Sequence, residues 1–288
     1  MVRGPDEIRQ VMVIGAGTMG HGIAQVSAMA GYRTMLVDVK EEFVAHGIER
    51  IKANLQSGVE RGKVTEEACD AALKALSTAT DLGIAAAKAD LVIEAVPEDM
   101  ELKKRIFRTL DEHAPEGALL TSNTSSLSVA EIASATSRPG SVLGMHFFNP
   151  VHIMKLLEIV WHDDTDDAAL ATAAAVGKRM DKDPIVVKDS PGFATSRLGI
   201  VLGNEAIRMV EEGVASPEDI DKAMELGYRH PMGPLKLSDI VGLDVRLNVS
   251  DYLHDTLGGE HYKPPELLRR LVKEGKLGKK TGEGFYKY

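Results

Sequence analysis

A glycine-rich turn between two apolar runs, in residues 10–39, constrains the fold of this chain more than any other feature. The runs VMVIG and YRTMLVDV have the length and composition of strands. The stretch GHGIAQVSAMA between them has the length and small side chains of a helix. This order predicts a strand, a crossover helix and a second, parallel strand, and therefore an α/β fold.

The turn and its acidic partner have the composition of a dinucleotide-binding site, Gly15-Ala16-Gly17-Thr18-Met19-Gly20 with Asp38 after the second strand. The first glycine permits a tight turn, the second lets a pyrophosphate approach the backbone, and the third lets the helix pack close to the strand. The helix N-terminus then presents amide donors and a partial positive charge to the phosphates. Asp38 would accept hydrogen bonds from both ribose hydroxyls and repel a 2′-phosphate, which favours NAD over NADP. FAD also fits the glycine pattern.

The remaining sequence up to residue 189 continues the alternation of strands and helices. Polar, charged sequence from Glu41 to Ser77 interrupts the strands, and we expect it to form a helical hairpin that projects from the sheet. Strands resume with DLVIEAV, GALLTS, SVLGMHFF, KLLEIV and PIVVKD. We therefore predict a doubly wound, Rossmann-type domain with a helical insertion over residues 1–189.

The last hundred residues have a different character. FATSRLGIVLGNEAIRMVEEG has helical periodicity and ends at Gly213, and Ser216-Pro217 then has the composition of a helix start. Further helical segments follow around Leu235–Leu257 and Pro265–Glu274, and only the final GFYKY alternates like a strand. We predict an all-helical domain over residues 190–288, whose apolar faces could contribute to a substrate cleft or a dimer.

Composition narrows the class of protein. The 34 basic and 43 acidic residues leave a net charge of −9, which argues against nucleic-acid binding, so a polyanionic ligand would need a local basic patch. The single cysteine, Cys69, excludes an internal disulfide framework and suits a reducing compartment. No run reaches the roughly 18 apolar residues of a membrane span, and the N-terminus lacks the apolar core of a signal peptide. We expect a cytoplasmic protein that does not bind membranes.

The segment GMHFFNPVHIMKLLEIV, residues 144–160, is nearly all apolar but contains His146 and Glu158. Both halves read as strands, and Asn149-Pro150 indicates a turn between them. If the chain reverses around residue 152, the histidine and the carboxylate face each other across the two strands. A buried, hydrogen-bonded histidine with only a packing role would give the same pattern.

A histidine–carboxylate pair near NAD also has a chemical use. The carboxylate fixes the tautomer and stabilises the imidazolium, and the other ring nitrogen can take a proton from a substrate hydroxyl. Other polar residues follow the carboxyl ends of predicted strands, where ligands bind in open α/β sheets: Glu98, Asn123, Ser125 and Asn149. These residues predict the oxidation of an alcohol.

Eight segments, in order along nearly the whole chain, resemble the L-3-hydroxyacyl-CoA dehydrogenase family, especially its short-chain bacterial branch. These segments are GAGTMGHGIAQ, EAVPEDMELKKRIF, SNTSSLS, GMHFFNPVHIMKLLEIV, DSPGFATSRL, GVASPEDIDKAM, HPMGPLKLSDIVGLD and LGKKTGEGFYKY. The resemblance implies a doubly wound NAD domain and a helical dimerisation domain. It also implies that the enzyme interconverts an L-3-hydroxyacyl-CoA and the 3-oxoacyl-CoA with NAD, and 3-hydroxybutyryl-CoA is the expected substrate. We expect a homodimer and no metal ion.

The resemblance assigns roles to individual residues. His146 would be the catalytic base, Glu158 its orienting partner, and Ser125 the donor to the reacting oxygen. The residues expected around NAD, besides the glycine turn and Asp38, are Glu98, Lys103, Asn149 and Lys280. The helical insertion would meet the CoA adenine and phosphates, where the candidates are Lys52, Arg61 and Lys63.

One position departs from the family pattern. Many members have asparagine where this chain has Ser196, a position that contacts the substrate near the reacting carbon, and the shorter serine puts the strength of that contact in doubt. Two other functions are compatible with the same residues: a dehydrogenase of a hydroxy acid without CoA, and a non-catalytic NAD-binding relative.

Overall fold

Eight strands form one sheet within residues 2–288, which are the residues that the computed structural model describes. In chain order the strands are β1 (Gln10–Ile14), β2 (Arg33–Val37), β3 (Leu76–Ala79), β4 (Leu91–Glu94), β5 (Leu119–Ser122), β6 (Val142–Phe147), β7 (Leu156–Trp161) and β8 (Asp183–Lys188). Across the sheet the order is β3-β2-β1-β4-β5-β6-β7-β8. All neighbours are parallel except β6 and β7. The order reverses between β1 and β4, where such sheets leave a crevice for a ligand.

Helices cover both faces of this sheet. They are α1 (Gly20–Met29), α2 (Glu41–Glu60), α3 (Glu66–Ala75), α4 (Leu82–Ala86), α5 (Met100–His113), α6 (Val129–Ala133) and α7 (Asp167–Arg179). Strand β1 shows the two layers: Val11 and Val13 belong to one apolar cluster, and Met12 and Ile14 belong to another on the opposite face. The prediction of a doubly wound α/β domain is confirmed.

The helical insertion differs from its prediction in two ways. The insertion packs on the sheet with one face instead of projecting from it. The residues Val44, Ile51, Leu55 and Cys69 of this face are part of the apolar core on one side of β1. The insertion also ends in the edge strand β3 instead of leading directly to the strand at Leu91. That strand is only four residues long, LSTA, and contains two polar residues, so its sequence does not show the apolar run that identifies a buried strand.

The chain divides into two compact units, of which the first ends at Asp189 and the second is Ser190–Tyr288. The second unit is built from α8 (Thr195–Glu211), α9 (Pro217–Gly227), α10 (Pro234–Val241), α11 (Leu243–Leu257) and α12 (Glu266–Lys273). Ser216 caps α9 through the amide of Asp219, with Pro217 at the first helical position, as the sequence predicts. The segment 235–257 forms two helices because Gly242, with φ of 105°, interrupts it.

The final segment does not form the strand suggested by its alternation. In the described chain it is held by isolated bridges that join Glu283 to Gly278 and to Lys287. Two amides of this segment, those of Phe285 and Tyr286, donate to the buried carboxylate of Asp239. Across residues 2–288, every helix is too short or too polar to cross a bilayer.

Candidate active site

The glycine turn follows β1 and has the geometry of a phosphate-binding loop. Gly15 has φ of 95°, and a Cβ there would lie 2.6 Å from the carbonyl oxygen of Ala95, so a side chain is excluded. At Gly20 a Cβ would overlap the carbonyl oxygen of Gly15. At Gly17, by contrast, a Cβ would have no neighbour within 4 Å, so its missing side chain leaves open space beside the backbone. The three glycines therefore serve the turn, the packing and the approach of a ligand.

The start of α1 is suited to an anion. Met19 occupies the N-cap position without a side-chain capping bond, and the first turn of the helix contains no acidic residue. Amides at a helix N-terminus and the helix dipole together attract a phosphate group. The open space at Gly17 adjoins this helix start, which is where a dinucleotide places its pyrophosphate.

Asp38 lies beside this turn at the end of β2. Its carboxylate accepts hydrogen bonds from the amides of Ala16 and Val39, both at 2.7 Å, which fixes its orientation. A cavity of about 610 Å³ opens in front of Asp38, Gly15 and Gly17. Its other walls are mostly apolar and include Val39, Phe43, Leu82, Val96, Pro97, Leu102 and Ile106. An apolar cavity with a carboxylate at one end suits an adenosine whose ribose hydroxyls face the carboxylate, so the residues present fit NAD.

His146 and Glu158 are directly opposite each other in the antiparallel pair β6–β7, as the sequence predicts. Nδ1 of His146 lies 2.7 Å from Oε2 of Glu158, and the carboxylate is fully buried. The ring of His146 also packs against Phe148, with 4.5 Å between the ring centroids. This hydrogen bond fixes the orientation of the ring.

Ser125 follows β5, the neighbour of β6, and is bound to Glu98. The amide and the hydroxyl of Ser125 both donate to Oε1 of Glu98, at 2.7 and 3.0 Å, and Thr124 donates to the same oxygen at 2.9 Å. Lys103 lies 3.3 Å from the other oxygen of Glu98. Two residues that the sequence places at separate strand ends are thus joined in one hydrogen-bonded group.

The pKa of Glu98 is lowered by this group. Burial acts to raise it, but the ammonium of Lys103 and the hydrogen bonds from Ser125 and Thr124 outweigh burial. Glu98 is therefore a carboxylate over the physiological pH range. In that state it only accepts hydrogen bonds, so the Ser125 hydroxyl donates to it.

Lys103 is almost fully buried, with an exposed fraction of 1%. Its ammonium lies 2.7 Å from Oε1 of Glu94, a carboxylate with no exposed surface that also accepts from Ser122 at 2.6 Å. The structure thus places Lys103 behind Glu98 rather than at the surface of the cavity. Its contact with a cofactor remains a prediction.

Asn123 and Asn149 have different surroundings. The side-chain oxygen of Asn123 accepts from the amide of Phe147 at 2.8 Å, which ties the end of β5 to the end of β6. Asn149 is exposed in the loop between β6 and β7 and precedes a cis peptide bond to Pro150. Lys182 donates to the carbonyls of Val151 and Met154 in the same loop.

The remaining predicted residues lie on helices or in the second unit. Lys52, Arg61 and Lys63 are exposed at or after the C-terminal half of α2, and Lys52 is paired with Glu49 at 2.9 Å. In the second unit, Ser196 lies in the first turn of α8, and Lys280 donates to Asp244 at 2.6 Å. The predicted roles of these residues at the substrate and the cofactor remain predictions.

Two features near the site are missing from the sequence-based prediction. Glu94 reads as the last residue of an apolar strand, and the sequence does not show that Lys103, which the resemblance places at NAD, is buried against it. Phe43, His46 and Arg50 line the cavity from α2. Their spacing of three and four residues marks one helical face, and this signal is present in the sequence.

Comparison with known proteins agrees with this geometry. Residues 10–190 match the NAD binding domain of 3-hydroxyacyl-CoA dehydrogenase, and residues 192–288 match the C-terminal domain of the same family. A probable 3-hydroxybutyryl-CoA dehydrogenase of Bacillus subtilis is 46% identical over 282 residues, which cover 98% of each chain. The mitochondrial hydroxyacyl-coenzyme A dehydrogenase of Sus scrofa is 41% identical over 98% of this chain and 91% of its own.

A solved structure has the same fold over the same length. The (S)-3-hydroxybutyryl-CoA dehydrogenase of Ralstonia eutropha superposes with a TM-score of 0.94 and is 41% identical, covering 98% of this chain and 99% of its own. Sequence, both domains and overall topology therefore agree along nearly the whole chain, and the chain belongs to the 3-hydroxyacyl-CoA dehydrogenase family.

Proposed function

We propose that this chain interconverts an L-3-hydroxyacyl-CoA and the corresponding 3-oxoacyl-CoA with NAD, and that its preferred substrate has a short acyl chain, as in 3-hydroxybutyryl-CoA. The observation that carries the proposal is the buried hydrogen bond between His146 and Glu158. It lies at the same edge of the sheet as the glycine turn and Asp38. The names of the relatives from Bacillus subtilis and Ralstonia eutropha support the substrate class.

His146 moves the proton of this reaction. In oxidation Nε2 accepts the proton of the substrate hydroxyl, and in reduction it returns that proton to the oxygen. Glu158 keeps the ring in the required tautomer and stabilises the imidazolium by its negative charge. NAD, which the glycine turn and Asp38 would hold, would supply the hydride chemistry at C3.

Ser125 provides the second contact to the reacting oxygen. Its hydroxyl donates to Glu98 at 3.0 Å, so it must turn away from that carboxylate to donate to a carbonyl or alkoxide oxygen. The amide of Ser125 keeps its own bond to Glu98 at 2.7 Å, so the backbone stays in place while the hydroxyl turns. A donor held in this way stabilises negative charge on the oxygen in the transition state.

The CoA part of the substrate carries phosphates and needs positive charge, although the whole chain has a net charge of −9. Arg61 and Lys63 are exposed at the end of α2, and Lys52 lies on the same helix. We assign the CoA phosphates to these exposed cations of an otherwise acidic protein. The contact of Ser196 with the acyl chain belongs to the same proposal.

We also propose a homodimer formed through the second unit. Large apolar side chains are exposed on α10 and at the start of α11: Leu237, Ile240, Val241 and Val245. By their spacing Leu237, Ile240 and Val241 share one face of α10, and an exposed apolar helix face is typical of a protein–protein interface. Light scattering on the purified protein, compared with an Ile240→Glu variant, tests this; equal masses near 31.1 kDa for both would contradict it. A cytoplasmic location remains a prediction from the sequence.

Turnover with a panel of substrates tests the proposed reaction. We expect NADH to be oxidised with 3-oxoacyl-CoA substrates, fastest with acetoacetyl-CoA, and much more slowly with NADPH. Equal turnover of free acetoacetate would favour a dehydrogenase that acts without CoA. Binding of NADH without turnover of any 3-oxoacyl-CoA would favour a non-catalytic relative, and equal use of NADPH would contradict the role of Asp38.

A further inference from the structure

Helix α2 packs directly on the glycine turn because residue 47 is a glycine. A Cβ at Gly47 would lie 3.0 Å from the Cβ of Ala16 and 2.9 Å from Cδ2 of Leu36, closer than a side chain is normally accommodated. Gly47 belongs to the buried face of the helix, together with Val44 and Ile51. This contact brings the neighbouring face of α2 to the edge of the cavity in front of Asp38.

That neighbouring face contains Phe43, His46 and Arg50, three and four residues apart. All three line the cavity that Gly15, Gly17 and Asp38 also line. Among the described residues that line this cavity, Arg50 is the one permanent cation and Asp38 the one carboxylate. The cavity wall formed by α2 therefore adds a guanidinium to the features expected of the fold.

A bound dinucleotide would bring more negative charge into this cavity than the turn alone can neutralise. A dinucleotide brings two negative phosphates to a place where Asp38 is already negative. The dipole at the start of α1 offsets only about half of one charge. A guanidinium matches the geometry of phosphate oxygens and binds them with two parallel hydrogen bonds.

His21, at the start of α1, links the glycine turn to the charge of Arg50. Nδ1 of His21, in the first turn of α1, lies 2.7 Å from the carbonyl oxygen of Gly17. The pKa of His21 is lowered mainly by burial, and the positive charge of Arg50 lowers it further, as does His152. Arg50 also lines the same cavity as Gly15 and Gly17, so the guanidinium and the turn border one space.

We propose that Arg50 binds the pyrophosphate of the dinucleotide from the side opposite to the N-terminus of α1. The inference rests on the proposed use of NAD, and it adds a residue that reading the glycine turn alone does not reveal. The phosphates would then be held between backbone amides on one side and a side-chain cation on the other. Other anions that Arg50 could bind are the 2′-phosphate of NADPH and the phosphates of the acyl-CoA, and the experiment separates these.

Direct binding measurements on an Arg50→Gln variant test the proposal. Dissociation constants for NADH and for ADP-ribose, which keeps the pyrophosphate but lacks nicotinamide, are measured by calorimetry without any substrate. We expect both constants to rise about 5- to 30-fold at low salt, the range of one charge-assisted hydrogen-bonded contact. Arg50→Lys keeps the charge but loses the planar guanidinium, so its dissociation constants should lie between those of Arg50→Gln and the wild type.

Salt dependence adds a readout that a purely structural role would not change. Because Arg50 is exposed to solvent, its contribution should shrink as salt screens the charge, so the difference between variant and wild type should narrow at high salt. The matched control is Arg108→Gln, which removes an exposed arginine from α5 that does not line the cavity. We expect the control to bind both ligands as the wild type does.

Three results would overturn the proposal. One is wild-type affinity of Arg50→Gln for NADH and ADP-ribose; another is a loss confined to NADPH, which would assign Arg50 to a 2′-phosphate. The third is a raised KM for acetoacetyl-CoA with unchanged NADH affinity, which would assign it to CoA. Failure of the proposed function is distinguishable, because wild-type protein would then bind NADH, with Arg50 contributing, but turn over no 3-oxoacyl-CoA.

Discussion

Nδ1 of His146 lies 2.7 Å from Oε2 of Glu158, although the two residues are 12 positions apart and belong to the only antiparallel pair of strands in the described sheet. In a fully parallel sheet the chain would leave β6 through a crossover and could not return beside it directly. The reversal places the two residues opposite each other inside an apolar layer. The pair therefore depends on the topology at this point of the sheet.

We expect His146 and Glu158 to behave as one unit in catalysis. His146→Gln should lower kcat by about 10²–10⁴-fold because the proton has no acceptor, while the protein stays folded and binds NADH. Glu158→Gln should lower kcat by roughly 10- to 10³-fold, because its amide cannot stabilise the imidazolium by charge.

The double variant distinguishes a coupled pair from two independent residues. We expect its kcat to be close to that of His146→Gln alone, since Glu158 acts through the histidine. Multiplicative losses in kcat would contradict this coupling. Circular dichroism and NADH titration of each variant serve as controls for folding and cofactor binding.

The glycines of the turn should respond differently to the same substitution. Gly17→Ala places its methyl group in open space, so we expect an unchanged melting temperature and weaker NADH binding, by roughly tenfold or more. Gly20→Ala forces its methyl group onto the carbonyl oxygen of Gly15, so we expect a loss of about 1–3 kcal/mol in stability as well. Thermal unfolding and NADH titration of both variants measure the two effects separately. Equal melting temperatures for both variants would contradict the packing role of Gly20.

The sequence reveals these features because each depends on residues that are close in the chain. The glycine turn and Asp38 belong to one strand–helix–strand unit, and the His146–Glu158 register follows from one reversal of the chain. The buried pair of Lys103 and Glu94 could not be predicted in this way, because the segment MELKKRIFRTLDEH has a pattern typical of a surface helix. Only the packing of α5 on the end of β4 shows that one of its lysines is enclosed.

The position of Arg50 also could not be predicted from the sequence. An arginine is expected to be exposed, but the sequence does not show that this one lines the cavity. It does so because α2 packs closely against Ala16 at Gly47. That approach is a contact between distant parts of the chain. The four-residue edge strand β3, LSTA, escaped prediction for a related reason, since its pairing with β2 stabilises a segment that has little strand character of its own.

Glu98 should make the protein less stable at acid pH. Its pKa in the folded protein is below the usual 4.5, so the unfolded state binds more protons between the two values. The stabilisation by this carboxylate is therefore complete above about pH 5 and is lost as the pH falls through the folded pKa. In Glu98→Gln this part of the pH dependence should disappear. Urea unfolding of wild type and variant between about pH 3 and pH 7 measures the free energy of unfolding at each pH. The same change of this free energy with pH in both proteins would contradict the prediction.

Lys182 should hold the loop that follows His146. Its buried ammonium donates to the carbonyls of Val151 and Met154, so Lys182→Met leaves two acceptors without this donor and should cost about 1–3 kcal/mol. Because Asn149 lies in the same loop, the KM for NADH should rise too. The control is Lys155→Met, an exposed lysine of the same region. A melting temperature of Lys182→Met equal to that of the wild type would contradict the role of Lys182 in holding the loop.

Asp239 should anchor the segment that contains Lys280. Its fully buried carboxylate accepts from the amides of Phe285 and Tyr286 at 3.0 and 2.9 Å, and a Cβ at Gly278 or Gly284 would collide with Asp239. Burial raises its pKa, although the two amides oppose this effect. Asp239→Ala removes both acceptors, so we expect a loss of about 1–3 kcal/mol and faster hydrogen exchange at Phe285 and Tyr286. The exposed Asp255→Ala should change neither quantity. Unchanged exchange in Asp239→Ala would show that the bridges at Glu283 are sufficient to hold this segment.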